Sequence, residues 1–194
     1  MLKAGDVIEN PISGQRILLC RTAQDTHGAF VEVEYFNKPF TGRGAAPAHL
    51  HPAMTERFEI LEGAAQYRLG KDERSAMEGD VLTFPPRVPH LHPWSISADA
   101  LHVRQTTIPD QPNIDALEAS GEALVTLFGL ARDGKVNKDG LPNLLQLAVL
   151  VRSMMPHAYL DGMPIPAQEV VFGSLAAVGR LLGYRASYPQ YSGR

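Results

Sequence analysis

From Pro47 to Ile108 the chain falls into short apolar or alternating runs, at about 47–51, 56–62, 64–69, 74–77, 81–84, 90–95 and 100–108, separated by Gly, Pro or Asp. No stretch of useful helical length interrupts them. Many short strands with turn signals at regular intervals predict an antiparallel sandwich or barrel. Upstream, Arg16–Cys20 and Phe30–Phe36 read as two more strands, joined through a hairpin turn at Asp25-Thr26-His27-Gly28. Val31, Val33 and Tyr35 alternate with Glu32 and Glu34, as in a sheet with one wet face. Residues 1–15 hold turn formers, Asn10-Pro11 and Ser13-Gly14 among them, and are expected to cross the barrel or form an edge strand.

Chemistry concentrates in the same stretch. Five of the 7 histidines lie between His49 and His102. In an extended strand His49 and His51 project from one face, so two imidazoles converge on one point. The Pro52–Thr55 segment can turn the chain and bring the carboxylate of Glu56 beside them, and a later strand carrying His90 supplies a third imidazole. Three neutral imidazoles and one carboxylate suit one divalent transition metal ion, Fe, Mn, Ni, Cu or Zn, with one or two positions left open. Phe58 and Ile60 share the parity of Glu56 and are expected to form an apolar wall beside the ion, with Glu59 and Glu62 solvated. His92 shares the parity of His90, which makes it a supporting donor, a substitute ligand, or a histidine packed against Pro93 and Trp94. His102 and Arg104 share a face of the last strand and are further pocket candidates. His27 reads as a turn residue and His157 as a helix-end residue, with no role assigned to either.

The spacing His49-x-His51-x4-Glu56-x6-Gly63, followed by Gly79-x5-Pro85-x-Arg87-x2-His90-x3-Trp94, resembles the paired motifs of the cupin family. Arg87 stands where the family pattern has a second glycine and Trp94 where it has an asparagine, while Gly44 lies one residue closer to His49 than usual. All four expected ligands, His49, His51, Glu56 and His90, are retained. The resemblance implies a mainly β fold, an antiparallel double-stranded β-helix or jelly-roll barrel, that binds a small-molecule ligand in its pocket. It also implies metal-dependent chemistry, with a dioxygenase first because three histidines and a glutamate resemble the ligand set of oxygen-using cupins. Glu56, released from the metal, is then the base. Isomerase or lyase chemistry, and a non-catalytic binding or sensing module, are the competing readings, because one fold hosts many activities. Self-association as a homodimer is a further implication, supported by apolar C-terminal helices.

Beyond Asp110 the pattern changes. Gln111-Pro112-Asn113 forms a hinge before helical segments at about 114–131, Leu141–Met155 and 166–182, the last beginning near Pro166 and stopping at Gly183. Residues 1–110 are thus expected to form the barrel domain and 111–194 a helical extension packed on it or on a second subunit. The second helix is apolar around most of its circumference, and Gly173, Ala176, Ala177, Val178 and Gly179 give the third a small-residue face. Neither reaches the roughly 18 to 20 apolar residues of a transmembrane span. A formal charge of -3 supplies no basic field for nucleic acid. The single cysteine, Cys20, sits in an apolar run and is expected to be buried. The N-terminal residues lack a signal-peptide core, which leaves a cytoplasmic location as the default.

Overall fold

The computed structural model describes residues 2–191. Ten strands precede the first helix: β1 (Val7–Asn10), β2 (Gln15–Arg21), β3 (Val31–Asn37), β4 (His49–Leu50), β5 (Met54–Glu62), β6 (Ala64–Leu69), β7 (Asp72–Met77), β8 (Val81–Phe84), β9 (His90–Ser95) and β10 (Leu101–Pro109). They form two antiparallel sheets, one ordered β1-β2-β3-β10-β5-β8 and the other built on β4-β9-β6-β7. The fold is mainly β, as expected, but the hydrogen-bonded ladder does not run on from one sheet to the other, so the barrel is two facing sheets.

Period-two alternation dictates which side chains meet between the sheets. On β5, Met54, Glu56, Phe58 and Ile60 are all buried. The Phe58 ring packs 4.7 Å from that of Phe84, which in turn lies 5.5 Å from Tyr67 on the opposite sheet. Each such buried aromatic contributes about 1.5–3 kcal/mol through burial. The turn after β5 tolerates only glycine: Gly63 has φ +87°, and a Cβ there would sit 2.5 Å from the Ala100 carbonyl oxygen. Cys20 corrects the expectation of a buried thiol. The β2–β3 register shifts between Leu19 and Arg21, and Cys20 is left half-buried on the face away from Ile17, near Glu34, whose charge adds to partial burial in pushing the thiol pKa up.

Three helices follow: α1 (Ile114–Arg132), α2 (Leu144–Met154) and α3 (Ile165–Leu181). The Asn113 side chain caps α1 by accepting from the Ala116 N–H at 2.9 Å. The second helix begins at Leu144, three residues later than the sequence suggests, because Asn143 turns its side chain onto the Gln146 N–H at 3.1 Å and Pro142 stays outside. After α3, Gly183 at φ +89° lets the Tyr184 N–H reach back to the Gly179 carbonyl at 3.0 Å. Only part of the small-residue face of α3 packs inward: Ala176 and Gly179 are buried, whereas Ala177 and Val178 face out. Among the described residues no helix is long and apolar enough to cross a membrane.

The helices are tied to the sheets at two levels. Phe128 and Leu130 of α1 and Leu150 of α2 belong to the same buried cluster as Phe58 and Val103. In addition a two-residue strand, β11 (Tyr159–Leu160), pairs with β4, placing Leu160 opposite His49. Its length leaves no alternation to read in sequence. Gln168, fully buried in α3, fixes this strand by accepting from the Leu160 N–H at 2.9 Å and donating to the Leu160 carbonyl at 2.8 Å and the Met163 carbonyl at 2.7 Å.

Candidate metal centre

The β4–β9 pairing sets His49 directly opposite His90. His51 follows β4, and Glu56 projects from the facing sheet, so the four side chains meet between the two layers. One ligand-type atom from each lies within 4.8 Å of the others, an arrangement that can hold a metal ion. Each histidine spends its Nδ1 on a backbone carbonyl: His49 on Pro47 at 2.7 Å, His51 on His157 at 2.9 Å, and His90 on Val88 at 2.9 Å. A carbonyl only accepts, so Nδ1 carries the proton and the lone pair of Nε2 is turned to the centre. The His51 and His90 Nε2 atoms are buried and have no hydrogen-bond partner. His90 Nε2 lies 2.9 Å from a Glu56 oxygen but is not aligned to bond it. Orphaned nitrogens of this kind each cost about 1–3 kcal/mol. A divalent cation would satisfy both at once, so the donor set fits such an ion in chemistry and in aim.

Burial and the mutual repulsion of neighbouring imidazoles with His92, His90 and His51 hold the His49 pKa well below its ordinary value. Burial likewise lowers that of His51, against the pull of Glu56. Both rings are therefore neutral at pH 7, as metal ligation requires. Burial alone would raise the Glu56 carboxyl, but its imidazole neighbours, His92 foremost, outweigh it and hold the group well below the usual carboxylate range. Its Oε1 accepts from Gln105 Nε2 at 2.8 Å and Thr107 Oγ1 at 3.3 Å, and its Oε2 from His92 Nε2 at 3.1 Å.

Nothing in the spacing of charged or histidine residues singles out Gln105 and Thr107. Their signal was the alternation Leu101-x-Val103-x-Gln105-x-Thr107, which puts two polar side chains on the inward parity of β10, with Thr107 opposite Glu56 in register. The sequence marks His157 only as a helix-end residue, yet its carbonyl orients His51. His92 points inward, its ring 5.0 Å from that of His49.

The remaining candidates fall elsewhere. His102 and Arg104 occupy the opposite parity of β10 and bind Glu34 of β3 at 2.9 Å and 3.0 Å, outside the space between the sheets. Phe58 touches the His92 ring at 4.9 Å but lies with Ile60 in the packed core, and neither lines the cavity, because the Glu56 network and His92 stand in front of them. Arg87 keeps the backbone of the glycine it replaces, with φ +66°, and its N–H donates to the His51 carbonyl at 2.7 Å. Trp94 is buried under the Arg43 guanidinium, which sits 4.6 Å from its ring.

A cavity of about 360 Å³ opens from the centre. His49, His51, Glu56 and His92 form one end, and the wall continues over β2 and β3 to α1 and α2.

Residues 40–103 match the family model of the cupin domain. Similar solved structures include an RmlC-like cupin from Shewanella frigidimarina NCIMB 400, at 13% identity over 54% of this chain and 84% of that one, with a TM-score of 0.44. A predicted oxalate decarboxylase from Thermotoga maritima aligns at 13% identity over 56% of this chain and 98% of that one, with a TM-score of 0.46. KdgF from Halomonas sp. aligns at 16% identity over 56% and 88%, with a TM-score of 0.43. No curated protein sequence matches the chain.

Proposed function

We propose that this chain, a cupin across residues 40–103, holds one divalent transition metal ion on His49, His51, Glu56 and His90 and works as an oxidoreductase of the dioxygenase type on a small organic substrate. The observation that carries the reading is the pair of buried, partnerless Nε2 atoms on His51 and His90, each locked in its orientation by a carbonyl bond behind it. Such pre-set lone pairs are expensive unless something binds them. When bound, a redox-active ion supplies a site for dioxygen and for an oxygen atom of the substrate.

The protein's own groups divide the remaining work. Glu56 and His92 form the proton-transfer pair. The carboxylate, held ionised by Gln105, Thr107 and its imidazole neighbours, accepts from His92 Nε2 and orients that ring at the cavity wall, so that its other nitrogen, Nδ1, receives or delivers the proton. In this reading residues 1–110 are the metal-bearing domain and residues 111–194 an extension that completes the cavity wall. A homodimer is part of the same proposal, supported by an exposed apolar face on α3.

Elemental analysis of protein purified without added metal, followed by oxygen-uptake assays on iron-, manganese-, nickel- and copper-loaded samples with phenolic, keto-enol and carboxylate substrates, tests this. About one transition ion per chain and substrate-dependent oxygen consumption are expected. Substrate conversion without oxygen uptake would replace the dioxygenase reading with an isomerase or lyase. Binding without conversion under any loading would replace it with a sensing module.

A further inference from the structure

The cavity has one polar end. Away from the metal cluster its wall is aliphatic: Ile17, Leu19 and Val33 from the sheet face Leu124, Leu127 and Leu150 from the helices. Among the described lining residues there is no lysine or arginine. The polar side chains that do reach the wall already have partners. Gln15 donates to Asn37 at 3.1 Å, Tyr35 to the Pro93 carbonyl at 3.0 Å, and Tyr159 to Glu169 at 2.8 Å. The Ser120 hydroxyl donates to the Ala116 carbonyl at 3.4 Å, and Asp6 accepts from the Lys3 N–H at 2.8 Å. A ligand body with hydroxyls, a base or a second charge would find only the spare positions of these few groups, and each polar atom beyond their reach would be buried unbonded, at about 1–3 kcal/mol. A hydrocarbon body meets no such penalty and gains about 0.8 kcal/mol per buried methylene.

We infer that the ligand is an amphipathic aliphatic acid: a carboxylate head on the metal and an unsubstituted chain running between the sheet and helices α1 and α2. This rests on the metal reading for the head and on the wall alone for the chain. A divalent ion with three neutral imidazoles and one carboxylate carries a net charge of about +1, so a single anionic head neutralises it. The helical extension is then the part that selects the substrate, because it contributes half of the aliphatic wall.

Titration calorimetry with the saturated monocarboxylates from butanoate to decanoate, on zinc-loaded and on metal-stripped protein, separates the two dependences. In the loaded protein each added methylene should tighten binding about fourfold until the cavity is full. Metal removal should weaken every acid without changing that slope. Leu127→Trp should shorten the longest acid accepted, and Leu124→Ala should lengthen it, with metal content unchanged in both; the second variant decides if the first fails to fold. Affinities that are flat in chain length in both samples, or tighter binding of uridine or glucuronate than of octanoate, would overturn the aliphatic assignment. Equal affinity for 1-octanol and octanoate in loaded protein would overturn the carboxylate head. A chain that purifies and reconstitutes without metal yet keeps the slope would refute the metal centre and leave the aliphatic wall standing.

Discussion

His90 and His92 are two residues apart on one strand and differ in what claims their Nε2 atoms. That of His92 is spent on Glu56 at 3.1 Å, while that of His90 has no bonded partner. His90→Ala should therefore abolish stoichiometric metal binding, whereas His92→Ala should weaken it by only about 10-fold to 100-fold, the usual effect of losing an outer partner; equilibrium dialysis read by elemental analysis, with circular dichroism as the folding control, checks both. Acid should unsettle the metal-free site through His51. Burial lowers its folded pKa below an unfolded value near 6.5, so the unfolded chain binds more protons over that window. The contribution of His51 to the stability of the stripped protein is then fully present above about pH 6.5 and falls, by at most about 1.4 kcal/mol per pH unit, as pH drops from there toward the folded value. Urea midpoints measured from pH 7.5 to 5 should show the decline, and His51→Gln should make it shallower, leaving the part due to His49, whose pKa is lowered in the same direction. The ligands were legible because their spacing carries chemistry of its own. Gln105 and Thr107 were not, since His102 and Arg104 on the same strand are chemically louder and only the pairing with β5 shows which parity faces Glu56.

At the scale of elements, the strand pattern was readable almost to the residue where Gly63, Gly79 and Pro85 punctuate it, because a positive φ or a missing N–H stops a ladder locally. What lay outside that logic was β11, whose two residues are made a strand by the open edge of β4 and by Gln168 and not by their own sequence. Helix packing gives a paired prediction. A Cβ at Gly173 meets nothing within 4 Å, while one at Gly179 would stand 2.9 Å from Val149 Cγ2 and 3.0 Å from the Leu145 carbonyl oxygen. Alanine improves helix propensity by about 1 kcal/mol at either site. At Gly179 that gain competes with forcing α3 away from the α2 backbone, at about 1–3 kcal/mol for overpacking. Gly173→Ala should raise the thermal midpoint and Gly179→Ala should lower it, as differential scanning calorimetry can read. Equal stabilisation by both would mean that α2 and α3 do not approach as closely as described.

For the whole molecule, the sequence separates a strand-rich part from a helical one at Asp110, but the structure runs one hydrophobic cluster through both, and the histidine end and the aliphatic end of the cavity are lined from both parts. That continuity is invisible in sequence because it arises from the placement of α1 on β1 and not from any local period. The surface leaves one apolar region outside this shared core. On α3, Val170, Val171, Val178 and Leu181 are 69%, 41%, 48% and 87% exposed, and Leu182 adds a further 66% just past the helix. Single exposed apolar residues are ordinary, but a run at positions i, i+1, i+8 and i+11 forms one continuous stripe. Burying it against the same stripe of a second copy gives an isologous contact, which must remove about 1,200–2,000 Å² in total to be stable. Light scattering across a concentration series should give twice the chain mass, and the double substitution Val170→Glu with Leu181→Glu should return it to a single chain while metal content and the circular dichroism spectrum stay unchanged. The substituted side chains point away from the cavity, so any loss of ligand binding that accompanies dissociation would assign the partner copy a share in closing the pocket. A wild-type protein that stays monomeric up to about 100 μM, well above the Kd expected of an interface of that size, removes the homodimer from the proposal.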